Sequence, residues 1–186
     1  MRRSGAEQAR EQALNIAKHD DPTDPAPTAW GPEVELFFED FRDGQHFELG
    51  AKRISEEEML TFARLYDPQP FHADLRTAEG TVFKGLIASG WHTASIWMRL
   101  YCDRVLLRAA SLGSPGVEDI RWLAPVRAGD LLQGSIDVTS VRASAHHPER
   151  GTVVIRGELR TGPGELKMRL TAWGLIARRP ELLPSK

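Results

Sequence analysis

Two residues that move protons stand five positions apart in the segment YDPQPFH, residues 66–72: Asp67 and His72, with Pro68 and Pro70 between them. A positioned carboxylate and imidazole supply general acid–base catalysis. A second stretch, GLIASGWHT at residues 85–93, leads into what reads as a long apolar helix opening at Gly90. The first N–H groups of a helix have no intrahelical acceptor and carry partial positive charge. Glycine lets a ligand approach that backbone closely. Gly90 therefore offers a donor for charge developing on an acyl or thioester oxygen, and equally a seat for a phosphate. An acid, a base and a free donor together suit chemistry beside a carbonyl.

Each of these residues also has a plainer reading. Asp67 serves as a turn cap and His72 as a loop histidine, while Gly90 serves close packing. In a fully extended polyproline conformation the pair would stand ~15 Å apart, too far to share one water. A joint role demands that the chain bend after Pro70.

Other candidates carry less. His92 reads as a hydrogen-bonded packing residue, and His146 and His147 as part of a solvated turn with Pro148 and Glu149. His72 and Asp74 supply too few ligands for a closed zinc site, so no metal is expected. Cys102 reads as a buried structural cysteine with no base nearby in sequence. Ser89 and Ser95 lack a GxSxG setting.

The elements that must hold these groups are legible in part. Ser55 precedes Glu56, Glu57 and Glu58, an N-cap with Glu58 at the capping-box position. Met59, Phe62, Ala63 and Tyr66 follow at helical spacing, and Pro68 ends that helix. The second helix spans about residues 90–109, its first half apolar on nearly all sides as befits a helix packed inside something. After Gly113 the period becomes two. Leu132, Gly134, Ile136 and Val138 share one strand face, Val153, Ile155 and Leu159 another, and Leu166, Met168, Leu170 and Ala172 a third, against polar residues that include Lys167. Residues 117–123 form a further strand, and residues 37–51 a hairpin about Asp43-Gly44. The class is α+β, one antiparallel sheet wrapping one long helix. Uncovered sheet edges favour a dimer.

The chain has 186 residues, 41% hydrophobic and 27% charged, with a formal net charge of -2. That charge balance gives no electrostatic footprint for nucleic acid or an anionic membrane. The apolar runs break well before the ~20 residues a spanning helix needs. One cysteine suits a reducing cytoplasm. Residues 1–30, with Asp20, Asp21, Pro22, Asp24, Pro25 and Pro27, read as a flexible arm in which Trp30 offers an anchor, and residues 31–186 as one domain.

The segments YDPQPFHAD, FKGLIASGWHTASIWMRL and WLAPVRAGD, within residues 37–179, resemble the MaoC-like hydratases, the group that contains (R)-specific enoyl-CoA hydratases. The family pattern of aspartate, any residue, asparagine, proline, any residue, histidine is matched at Asp67, Pro70 and His72, with Gln69 in place of the asparagine. The resemblance implies the hot-dog fold, a curled antiparallel sheet around one central helix, and a homodimer or higher homo-oligomer with acyl-CoA sites at the subunit interface. It implies that Asp67 and His72 activate a water for addition to a 2-enoyl thioester, giving a (3R)-hydroxyacyl thioester. Gly90, with Gln69, would contact the thioester. No cofactor is implied beyond the CoA or acyl carrier protein of the substrate. Phe71 and Phe83 are expected along the acyl pocket.

Two other functions fit the same scaffold. A hot-dog thioesterase is expected to carry a carboxylate near the start of the central helix, whereas the first acid here is Asp103. The other is a non-catalytic acyl-thioester-binding protein.

Overall fold

The computed structural model describes residues 33–162 and 164–183. The expected arm of residues 1–30, with Trp30, lies outside the described residues.

Strand β1 (His46–Arg53) leads into helix α1 (Glu56–Tyr66). Helix α1 begins where the residue pattern places it: Ser55 Oγ accepts from the N–H of Glu58, and the Glu58 carboxylate accepts from the N–H of Ser55. Lys52 reinforces this cap, donating to Glu58 at 2.6 Å and holding its carboxyl down at about 2. Two short helices follow, α2 (Pro70–Ala73) and α3 (Leu75–Glu79), before the central helix α4 (Gly90–Arg104). Helix α4 stops short of residue 109; a 3-10 turn at Leu106–Arg108 continues the chain.

Strands β2 (Gly116–Trp122), β3 (Leu131–Ala143), β4 (Arg150–Thr161) and β5 (Leu166–Ala177) complete one antiparallel sheet in the order β1-β3-β4-β5-β2. Register shifts interrupt every strand pair, at 48/50, 138/140, 159/160 and 118/121. Each bulge bends its strand and increases the local twist, so the sheet curls around α4. Ile96, Trp97, Leu100 and Tyr101 of α4 are buried against Leu132, Ile136, Ile155, Leu159 and Met168 of the sheet. Gly157 makes this contact possible, because a Cβ there would stand 2.3 Å from the Trp97 ring. This is the hot-dog fold.

Three expectations are corrected. Residues 37–51 form no hairpin: a 3-10 turn at Phe38–Asp40 precedes β1, and β1 pairs with β3, far along the chain. Local turn chemistry was present at Gly44 (φ 79°), yet its N–H is bonded to Val138 O on β3. Helix α4 is not sheathed on all sides, because one sheet covers one face; Trp91 and Met98 remain exposed. Lys167 does not lie open on the polar face of β5. It is buried, with Nζ donating to Pro125 O at 2.8 Å and paired with Glu165.

Candidate active site

Pro68 ends α1 as expected, and Asp67 leaves the helix with its N–H still bonded to Ala63 O. The chain then turns at once. Pro70 occupies the first position of α2, where its missing N–H is not needed and its fixed φ suits the helix, and His72 N donates back to Gln69 O at 2.8 Å. One helical turn thus folds the segment, and His72 Nε2 stands 3.5 Å from Asp67 Oδ2.

Both the ring and the carboxylate are tightly held. His72 is buried, and its Nδ1 lies 2.9 Å from Ile87 O. A carbonyl oxygen only accepts, so Nδ1 carries a ring proton, and in the neutral imidazole Nε2 then presents a lone pair to Asp67. Phe71 meets His72 edge-on at 4.5 Å and packs on Phe83 at 5.3 Å. Asp67 Oδ1 accepts from the Gln69 amide at 2.8 Å, and Oδ2 accepts from Ser89 Oγ at 2.7 Å. Burial pushes the Asp67 carboxyl up, but these two hydrogen bonds, with His72 nearby, outweigh it and hold the group below its ordinary value.

Ser89 is the residue that sequence reasoning missed. As a nucleophile it lacks the GxSxG setting, yet it stands just before the helix-opening glycine, the position of an N-cap. Its Oγ accepts from Trp91 N at 3.2 Å while its hydroxyl proton goes to Asp67. One buried side chain therefore fixes the carboxylate to the start of α4.

Gly90 is the first residue of α4, so its N–H has no intrahelical acceptor. Its glycine identity has a packing cause: a Cβ would lie 2.6 Å from Trp122 Cε2, and Trp122 Nε1 donates to Gly90 O at 2.7 Å. Trp91 stacks edge-on against the same indole at 5.4 Å.

His92 packs as expected, its ring stacked on Phe62 at 4.7 Å, but it is not hydrogen-bonded through Nδ1, which is buried without a partner. Burial also pushes the His92 pKa down. Cys102 is half-buried rather than buried, and burial raises its thiol pKa. His147 pairs with Glu149 at 3.3 Å. Among the described residues no three His, Cys, Asp or Glu side chains gather as metal ligands, and no helix is long and apolar enough to cross a membrane. A groove of about 430 Å³ lies between α1 and α3, lined by Leu60, Arg64, Asp74 and Arg76. None of Asp67, His72 or Gly90 faces it, so it is separate from the acid–base pair.

The model of the MaoC like domain matches residues 41–157, well over half of the chain. An (R)-specific enoyl-CoA hydratase from Rhodospirillum rubrum is 36% identical over 110 residues, covering 56% of this chain and 71% of that protein. The crystal structure of the MaoC-like dehydratase from Rhodospirillum rubrum superimposes with a TM-score of 0.73 at 36% identity, covering 78% of this chain and 99% of that one. An (R)-hydratase from A. caviae involved in PHA biosynthesis gives 0.58 at 25% identity, over 72% of this chain and 96% of that one.

Proposed function

This chain belongs to the MaoC-like domain family, and on that premise we propose that it is a hydro-lyase that adds water reversibly to a 2-enoyl-CoA, giving a (3R)-hydroxyacyl-CoA. One observation carries the reading. With the His72 ring neutral, Asp67 Oδ2 and His72 Nε2 are both proton acceptors, and they stand 3.5 Å apart. A water donating one hydrogen to each satisfies both, and its lone pairs then point outward as a nucleophile.

In the forward direction the water oxygen bonds to C3 of the enoyl thioester as one of its protons passes to the Asp67–His72 pair. The C2–C3 π electrons move toward the thioester, whose oxygen gains negative charge and accepts from Gly90 N–H. The enolate then collapses, and C2 takes up the proton held by the pair. Dehydration runs the same steps backward. A positioned base contributes typically ~10²–10⁴ in rate, and one oxyanion donor about 3 kcal/mol. Gln69, whose amide grips Asp67 Oδ1, acts here by orienting the carboxylate. The acyl chain is assigned to the side of Phe71 and Phe83.

The active unit is assigned as a cytoplasmic homodimer. Strand β2 is a sheet edge, and exposed Trp122 and Leu123 adjoin the open face of α4 with Trp91 and Met98. A second copy would bury both. The thioesterase alternative lacks its carboxylate: Asp103 lies ~20 Å along α4 from Gly90 at helical rise and is engaged with Arg99 at 2.8 Å.

The test is hydration of crotonyl-CoA followed by the enoyl absorbance, with chiral analysis of the product and a thiol reagent to detect free CoA. Asp67→Asn and His72→Ala should each abolish hydration while circular dichroism stays unchanged. Undiminished turnover in both variants, or release of CoA thiol in place of hydration, overturns the assignment.

A further inference from the structure

Arg127 has no part in the steps above, yet it is the side chain that braces the loop behind His72. It lies in the connection between β2 and β3, and its own backbone is tied down: Arg127 N donates to Asp130 Oδ2 at 2.9 Å, and Asp130 N to Arg127 O at 3.1 Å. The guanidinium makes no ion pair among the described residues. Instead Nη1 donates to Leu86 O at 3.2 Å and Nη2 to Phe83 O. Guanidinium in a rigid fork is the one side chain that reaches two carbonyls in a fixed relative geometry.

The two carbonyls converge because the loop between them takes an unusual path. Lys84 has φ 49°, a left-handed conformation rarely adopted by a residue with a side chain, and Gly85 has φ 130°. A Cβ on Gly85 would lie 3.3 Å from Arg127 Nη1, so the guanidinium is seated against bare backbone. Leu86, whose carbonyl the fork holds, is followed by Ile87. Its carbonyl takes the proton of His72 Nδ1 at 2.9 Å, and its N–H reaches Phe71 O at 3.3 Å. Ala88 N then closes the loop onto Val126 O at 2.8 Å, immediately before Arg127. The carbonyl that selects the His72 tautomer is therefore suspended between two anchors, both from residues 126–127.

We propose that Arg127 is a positioning residue, holding residues 83–87 so that Ile87 O keeps the His72 proton on Nδ1 and the Nε2 lone pair on Asp67. Without the fork, the strained turn at Lys84 and Gly85 relaxes, Ile87 O moves off the ring, and the imidazole is free to carry its proton on Nε2. That tautomer turns a donor toward Asp67 and no longer accepts from water. The kinetic consequence rests on the hydratase reading; the tautomer does not.

The test uses the full chain with 15N-labelled histidine and the variants Arg127→Met, Arg127→Gln and Arg127→Lys. The six histidines keep the spectrum tractable, and loss of signals in His72→Gln assigns His72. In the unmodified chain His72 should show the Nδ1–H tautomer with a protected ring proton. In Arg127→Met it should become a mixture with a rapidly exchanging proton. Turnover of crotonyl-CoA should fall about ten- to thousandfold in kcat, toward the ~10⁴ that a wrongly tautomerised catalytic histidine costs, with KM nearly constant. Arg127→Lys should restore part of both readouts. If Arg127→Met fails to fold, Arg127→Gln, which keeps one donor, carries the same comparison. Retention of the Nδ1–H tautomer and of kcat in the folded variant overturns the proposal. Absence of hydration by the unmodified chain defeats the hydratase reading alone, and the spectra still decide the role of Arg127.

Discussion

Gly90 has two explanations, a packing one and a chemical one, and a pair of substitutions separates them. Alanine at 90 puts a methyl 2.6–2.9 Å from Cε2, Cδ2 and Nε1 of Trp122, about 1 Å inside ordinary contact. The indole is a flat wall pinned by its own hydrogen bond to Gly90 O, so it must shift as a body. Overpacking of this kind costs about 1–3 kcal/mol and the strained or lost hydrogen bond about 1 kcal/mol, while exchanging glycine for alanine in a helix returns up to about 1 kcal/mol. Gly90→Ala is therefore expected to destabilise by about 1–3 kcal/mol, read as a Tm drop of several degrees. Trp122→Ala should remove most of that penalty, so the two substitutions couple strongly in a double-mutant cycle. In that relieved background, Gly90→Ala and Gly90→Pro both carry a Cβ and differ in the N–H. Proline suits this site, since it is the first helical position and Ser89 before it already has ψ 140°. If the Gly90 N–H receives the thioester oxygen, kcat/KM for crotonyl-CoA should be ~10²–10³ lower with proline than with alanine, the usual worth of one oxyanion donor. Equal kcat/KM in the two folded proteins refutes the donor role and leaves Gly90 as a packing glycine.

Ser89→Ala removes both the cap of α4 and the donor to Asp67 Oδ2, so thermal unfolding should show a loss of about 1 kcal/mol and kcat should fall. The same substitution tests the electrostatics of Asp67, whose folded pKa lies below the ordinary 3.8. Asp67 thus contributes stability above the unfolded pKa and loses it as pH falls through the lowered value; carboxyl 13C titration should find its midpoint higher in Ser89→Ala. His92 supplies a pH effect on stability, because burial depresses its folded pKa below 6.5 despite nearby Glu58, and Lys52 adds to the depression. The unfolded chain takes the proton first, so this contribution is full above about pH 6.5 and declines on acidification through the folded value. His92→Phe keeps the stack on Phe62 and should reduce the Tm loss between about pH 7.5 and about pH 5.5; an unchanged difference excludes His92 as its source. His46 works in the other direction, since Asp137 and Glu48 raise its pKa and its contribution fades as pH rises through that raised value.

Much of the fold was legible because it rests on short-range patterns. The Ser55 and Glu58 cap is a contact between residues three apart, and it appears in the structure as written. The period-two runs of β3, β4 and β5 likewise place Leu132, Ile136, Ile155, Leu159 and Met168 inside. What could not be read was which strand each edge meets. Asp43-Gly44 carries the chemistry of a hairpin turn, but pairing of β1 with β3 is decided by burial of Leu49 and Ile136 across the sheet, a contact with no local signature. Lys167 misled for a related reason: alternation predicts the side of the sheet, not the loop at residues 123–126 that covers it.

The candidate site divides along the same line. Asp67 and His72 belong to one short segment, and its two prolines contain the bend once their positions are distinguished. Pro68 stops α1 and leaves Asp67 outside the helical conformation, whereas Pro70 starts a new helix, so His72 returns to within 3.5 Å of the acid it was expected to serve. The partners that give those two groups their chemical state come from a different segment, residues 87–89. Ser89 was visible in principle, as a capping residue ahead of a helix. Ile87 was not, because it acts through a carbonyl that every residue possesses, and only the path of the loop aims it at the ring. The proton on His72 is therefore set by backbone, and the residue most answerable for that backbone is Arg127, about forty positions away at the turn after β2. Side-chain identity marks where chemistry is available; the protonation state that makes it usable is decided by loop geometry, which is why substitutions at Arg127 are the sharper probe of this site.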